Sequence, residues 1–161
     1  MIEPLTLSFE VAVPRDRAFR AWTDQIGRWW PKSHSVSGDP ELTVVLEPRL
    51  GGRLFERTAT GDEHEWGEIT VWDPTSRFGY LWHLRRDRAD ATDVVISFSA
   101  LDDHRTRVDI EHTGWERLGA GGQDWRDANF GGWSSMLPFY RDHLTTTESE
   151  GDEHDRSRNQ G

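Results

Sequence analysis

Three side chains have the chemistry to move a proton or to orient a polar group on an otherwise apolar surface: His112, Glu68 and His34. His112 closes the alternation Val108, Ile110, His112, so an imidazole shares a face with two aliphatic residues and is followed closely by Trp115. Imidazole titrates near neutrality, which suits an acid–base group or a ligand contact. The commoner fate of such a buried ring is structural, hydrogen-bonded to the last helix or its loop. Glu68 lies in "HEWGEITVWDP", where Trp66, Glu68, Thr70 and Trp72 share one face and Gly67, Ile69 and Val71 the other. Both sets carry bulk, so alternation does not choose the inner one. An inward Glu68 needs a partner, because a buried lone carboxylate is costly, and Arg53 on the neighbouring strand is placed to supply one. His34 stands in "RWWPKSHS" with Trp29 and Trp30, at the end of the short helices and in the following loop, and loops carry function more often than their length suggests. There Trp29 packs the helices onto the sheet, and Trp30 is open to either role.

Other chemistries lack their residues. There is no cysteine, which removes disulfides, thiolate catalysis and cysteine metal sites together. No HExxH or close histidine pair is present, "LGAGGQD" lacks the Lys-Ser/Thr of a phosphate loop, and no serine sits in G-x-S-x-G. No catalytic residue, metal or cofactor is therefore assigned. The formal net charge of -10 makes nucleic acid and anionic membrane surfaces poor partners. All the basic residues but Lys32 are arginine, and the densest run, "LRRDRAD", suits a solvated hairpin tip. No apolar run approaches the ~18 residues of a membrane span, and "MIEPLTLSFEVAV" lacks the pattern of a signal peptide. A soluble cytoplasmic protein is expected.

The elements that would position these groups follow from periodicity. Leu5, Leu7, Phe9, Val11 and Val13 alternate with polar residues as a first strand that ends at Pro14. "RDRAFRAWTDQIGRWW" spaces Ala18, Phe19, Trp22, Ile26, Trp29 and Trp30 at helical intervals, and Gly27 divides it into two short helices. Six more strands follow between Leu42 and Thr113, joined by turn chemistry such as "TGDE", "DPTS" and "LDDH", so neighbours pair antiparallel. Within them Phe78, Tyr80, Trp82 and Leu84 share a face, as do Val94, Ile96 and Phe98. A long helix from about Trp125 to Thr145 carries Trp133, Met136, Leu137, Tyr140 and Leu144 on one stripe. Directly before Trp133 stand Gly131 and Gly132. They either allow close backbone approach to the sheet or belong to a preceding loop. Residues 1–145 thus form one α+β domain, with 146–161 an acidic tail expected to be disordered for want of large apolar residues.

A curved antiparallel sheet of about seven strands must bury its face against the last helix, and a cavity is the expected remainder where curve and cylinder part. "LEPRLGGRLFER", "TGDEHEWGEITVWDP", "RFGYLWHL", "EHTGWERL" and "GGWSSMLPFYRDHL" together resemble the heat-shock-protein-90 ATPase activator homologue (AHSA-type) family. That family sits within the START/polyketide-cyclase (SRPBCC) superfamily. The resemblance spans roughly residues 5 to 145 and implies the helix-grip fold, in which the sheet grips the last helix. It also implies that the cavity holds a lipid-like, aromatic or polyketide-like molecule. The eukaryotic namesake binds a chaperone through a larger architecture, and that role is not expected to carry over. Trp82, Trp133, Met136, Leu137 and Tyr140 are the expected wall, with Trp30 and His34 at the mouth and His112 and Glu68 as orienting groups. A small apolar molecule is then the expected partner, and a homodimer is compatible with the pattern. Two alternatives stand beside binding: a cyclase- or hydratase-type enzyme in the same cavity with His112 moving protons, or a chaperone- or partner-binding module using exposed aromatics.

Overall fold

The alternation of Leu5 to Val11 becomes strand β1 (Leu5–Val11), whose ends Leu5 and Val11 are buried while Thr6, Ser8 and Glu10 face solvent. A computed structural model describes residues 2–83 and 88–159 of the chain. The arginine-rich hairpin tip expected around residues 84–87 falls outside these residues. After Pro14, α1 (Arg15–Thr23) buries Ala18, Phe19, Ala21 and Trp22, the stripe its spacing requires. α2 (Ile26–Trp29) follows, and then a loop to residue 42. Six strands complete the sheet: β2 (Thr43–Leu46), β3 (Arg53–Arg57), β4 (Glu63–Asp73), β5 (Arg77–Trp82), β6 (Thr92–Asp102) and β7 (Arg105–Thr113). A 3₁₀ stretch, Trp115–Gly121, leads into the last helix, α3 (Gly122–Asn159).

The seven strands form one antiparallel sheet in the order β1-β7-β6-β5-β4-β3-β2. Because β1 and β2 occupy opposite edges, the segment between them must cross the whole sheet. α1, α2 and the following loop make that crossing, and α3 returns over the same face. The sheet curls around α3, the helix-grip arrangement. Val94, Ile96 and Phe98 of β6 and Val108, Ile110 and His112 of β7 all point into the core, as period-two alternation requires.

β4 breaks that simple period, and the break settles its inner face. The register slips against β3 near Trp66 and against β5 between Ile69 and Val71. A bulge places two successive residues opposite one, so alternation restarts on the other phase. Trp66, Ile69 and Trp72 consequently all face inward: Trp66 and Ile69 are buried in the core, and Trp72 lies 5.5 Å from Phe19. Gly67 is where the strands crowd, since a Cβ there would collide with the carbonyl of Leu81. Glu68, opposite Arg53 and Leu81, falls on the outer face. There the Arg53 guanidinium binds Glu63 at 3.2 Å and stacks 4.2 Å over Phe55.

The glycine pair Gly131–Gly132 fits neither sequence expectation. Both residues lie inside α3, not before it, and among the described residues a Cβ at either would meet nothing within 4 Å.

Candidate functional site

A pocket of about 190 Å³ opens between α3, the loop after α2 and the end of β5. Four indoles wall it: Trp30 from the turn after α2, Trp82 from the end of β5, and Trp125 and Trp133 from α3. Helical geometry gives α3 its share, since residues 125, 128, 129, 132, 133 and 136 recur at three- and four-residue steps on one face. Ala128 and Gly132 leave the middle of that face low, Met136 closes one end, and Ser33, His34 and Asn129 supply polar groups. Among the described residues, no aspartate, glutamate, lysine or arginine lines the pocket.

The walls are held by hydrogen bonds behind them. Trp30 and Trp82 stand 6.0 Å apart, and each packs on buried Trp66, at 5.3 and 6.0 Å. Trp30 donates its indole N–H to the carbonyl of His34 at 2.8 Å, tying wall to loop. The same loop is anchored beneath by Glu56, a fully buried carboxylate on β3. Its oxygens accept from the Val36 and Ser37 backbone N–H groups, the Ser37 hydroxyl, and Trp66 Nε1 at 2.9 Å. Burial alone would raise the Glu56 pKa, but these hydrogen bonds, led by Ser37, outweigh it and hold the carboxyl below its ordinary value. On the far side of the mouth the His34 ring reaches the Ser135 hydroxyl of α3, 3.3 Å from Nε2.

His112 lies behind the Trp133 wall, fully buried, and both ring nitrogens are used. Trp133 Nε1 can only donate, so at 3.1 Å from Nδ1 it makes Nδ1 the acceptor. The proton then sits on Nε2 and is donated to Thr92 Oγ1 at 2.6 Å, whose own hydroxyl points to the Trp82 carbonyl at 3.4 Å. One chain thus links α3 to the sheet through a neutral imidazole. Burial pulls the His112 pKa down to about 3, so the ring stays neutral across the physiological range. The Trp115 indole N–H, bonded to the His112 carbonyl at 2.9 Å, fixes the backbone beneath it.

The structure therefore gathers Trp30, His34, Trp82, Trp133 and Met136 around one space. The remaining expected ligand residues lie elsewhere. Glu68 is on the outer face of the sheet. His112 stands behind Trp133. Tyr140 is buried among Trp22 and Trp29 with its hydroxyl donating to the Ala18 carbonyl at 2.8 Å. Leu137 borders a separate groove with Leu7 and Phe9. The pocket also includes Ser33, Trp125, Ala128, Asn129 and Gly132, which the sequence reading missed. Carrying the helical stripe back by one turn from Trp133 would have reached Asn129 and Trp125. Nothing in the local pattern points to Glu56, whose backbone partners Val36 and Ser37 lie about twenty residues upstream in a loop. Among the described residues no group of three or more His, Asp or Glu is placed to hold a metal ion, and no helix is long and apolar enough to cross a membrane.

Residues 12–139 match the family described as activator of Hsp90 ATPase homolog 1-like protein. Solved structures similar to this chain include Txn09, CalC and Ms6760. The anthrahydroquino-gamma-pyrone synthase Txn09 is 28% identical, over 76% of this chain and 84% of its own, with a TM-score of 0.55. CalC, a self-sacrificing resistance protein from Micromonospora echinospora, is 25% identical over 89% and 95%, with a TM-score of 0.66. Ms6760 from Mycobacterium smegmatis is 27% identical over 89% and 92%, with a TM-score of 0.65. No curated protein gives a significant match.

Proposed function

Since this chain belongs to the activator of Hsp90 ATPase homolog 1-like family, we propose that it binds a small, neutral, flat apolar molecule in the Trp30–Trp82–Trp125–Trp133 pocket. The single observation that carries this reading is an indole-walled cavity with no charged side chain among its described lining residues, in a chain of net charge -10. An ionised ligand would lose its hydration there and find no fixed charge in return. A flat ring system instead gains apolar burial and edge or face contacts with the indoles. In size, about 190 Å³ exceeds the roughly 150 Å³ of a dry cavity known to take benzene, so one or two rings fit inside with the rest of the molecule in the mouth. His34, Ser33 and Asn129 are the groups positioned to orient a hydroxyl or carbonyl on the ring edge. The name of Txn09 describes an aromatic product of the anthrahydroquino-pyrone class, and the similarity over most of this chain supports that ligand class.

Binding, and not turnover through His112, is the reading this geometry favours. A general base must reach the proton it takes and titrate near the working pH. His112 is walled off by Trp133, has both nitrogens occupied, and is held neutral.

The test is a tryptophan-fluorescence titration of the full chain with 2-naphthol and, as its charged counterpart, 2-naphthalenesulfonate. Saturable quenching by the neutral probe, at least about tenfold weaker for the anion and for Trp125→Ala, is expected. Linear, unsaturable quenching, or equal affinity in Trp125→Ala, would sink the reading.

A further inference from the structure

Apart from those at positive φ, the glycines of this chain differ in what an added side chain would meet. At Gly27, Gly52, Gly67 and Gly122 an added Cβ would run into a backbone carbonyl of another segment, so packing requires the missing side chain. At Gly132 it would meet nothing within 4 Å, and the residue is helical. Glycine there lowers helix stability relative to alanine and relieves no clash. What it leaves is space, and the position of that space is specific. The residues one turn either side, Ala128, Asn129 and Met136, all line the pocket, as does Gly132. Because side chains on a helix lean towards its N-terminus, a side chain at 132 would lie over the turn at 128–129, inside the cavity. Gly131, its neighbour, is equally unobstructed but exposed and outside the pocket.

We infer that Gly132 is the specificity-determining position of the pocket: its bare backbone, with Ala128, forms the floor against which the face of a fused-ring ligand lies, opposite the indoles of Trp30 and Trp82. This rests on the ligand-binding reading and narrows it to ring systems broad enough to cover a helix turn. A single ring can lie against one indole of the wall without reaching the floor at 132. A ring system of three fused rings needs the floor, and a methyl group there lifts it out of register with the walls. Packed sites yield little to one added methylene, so selectivity between broad and narrow ligands is set at this residue.

The experiment compares wild type, Gly132→Ala, Gly132→Leu and Gly131→Ala as full chains, titrated with p-cresol, 2-naphthol and 1-hydroxyanthraquinone, with thermal melts of each. Gly132→Ala is expected to weaken the anthraquinone by about tenfold or more and p-cresol by less than about twofold. Gly132→Leu should abolish binding of the two larger probes, and Gly131→Ala should change none. Both alanine variants should raise Tm by a few degrees, about what removing one helical glycine gives. Unchanged anthraquinone affinity in Gly132→Ala overturns the inference while leaving the pocket reading intact. So does a lowered Tm in that variant, since it would mean that packing demands the glycine. Wild type that binds no probe saturably overturns both readings.

Discussion

Two aromatic clusters lie along α3 and end differently. Towards its C-terminal half, Trp22 sits 4.6 Å from Tyr140 and 5.3 Å from Trp29, and Phe19 sits 5.4 Å from Phe98, so the rings interlock. Towards its N-terminal half, Trp30, Trp82, Trp125 and Trp133 surround open volume. The residue type is the same at both ends. What differs is the side chain that the helix offers: Tyr140 and Leu144 fill the closed end, while Ala128 and Gly132 leave the other unfilled. A cavity in this fold is thus a local deficit of helix side-chain volume. The indoles around it stay upright because Glu56, His112 and Trp66 support them from outside the pocket.

The sharpest way to break this contrast is to truncate one indole at each end. Trp22→Ala should cost about 3–5 kcal/mol in urea or guanidinium unfolding, because a fully buried ring leaves a hole that its neighbours cannot close. Trp125→Ala, half-buried on the open side, should cost no more than about 1 kcal/mol. Equal losses would mean that the open end is packed as tightly as the closed one.

Acid should loosen the support behind the pocket next. The folded-state pKa of His112 lies near 3, below the ordinary 6.5, so the unfolded chain binds the proton more readily and stability rises with pH between those values. That contribution is complete above about pH 6.5. It falls by roughly 2 kcal/mol between pH 7 and pH 5, read from urea midpoints at the two pH values. His112→Gln should flatten the slope in that window. A slope unaltered by the substitution would remove His112 as its source.

The smallest of these effects belongs to the loop anchor. Glu56→Gln keeps the shape but loses acceptor capacity for the Val36, Ser37 and Trp66 donors, at about 1–2 kcal/mol, with faster amide exchange over residues 33–38. Because the Glu56 pKa is depressed in the fold, its stabilisation is present above the ordinary carboxylate range and is lost as pH falls through the folded value. That loss begins only below the ordinary carboxylate value, under the pH 5–7 interval used for His112, and should be missing from the variant. Exchange protection over residues 33–38 equal to wild type would show that the loop is held by Trp30 and not by Glu56.

Local pattern determined much of this molecule. Strand alternation from Leu5 to Val11 and through β6 and β7, the helical spacing of Phe19 and Trp22, and the stripe Trp133–Met136–Tyr140–Leu144 each need only their own neighbours in sequence. The short turns that punctuate the strands then leave the antiparallel sheet and the helix it grips as the simplest arrangement. The same local logic put Trp30, Trp82, Trp133 and Met136 on buried faces, where the pocket includes them. Tertiary structure decided the rest. The two bulges in β4 send Trp66 inward and Glu68 outward, and a bulge is set by the partner strands, not by the strand that carries it. Glu56 is a buried carboxylate only because a loop about twenty residues away folds its N–H groups onto it. Gly132 reads in sequence as a helix defect. Only the placement of two other segments around it turns that missing side chain into the floor of a pocket, because empty volume belongs to the packing of several segments and to no one of them.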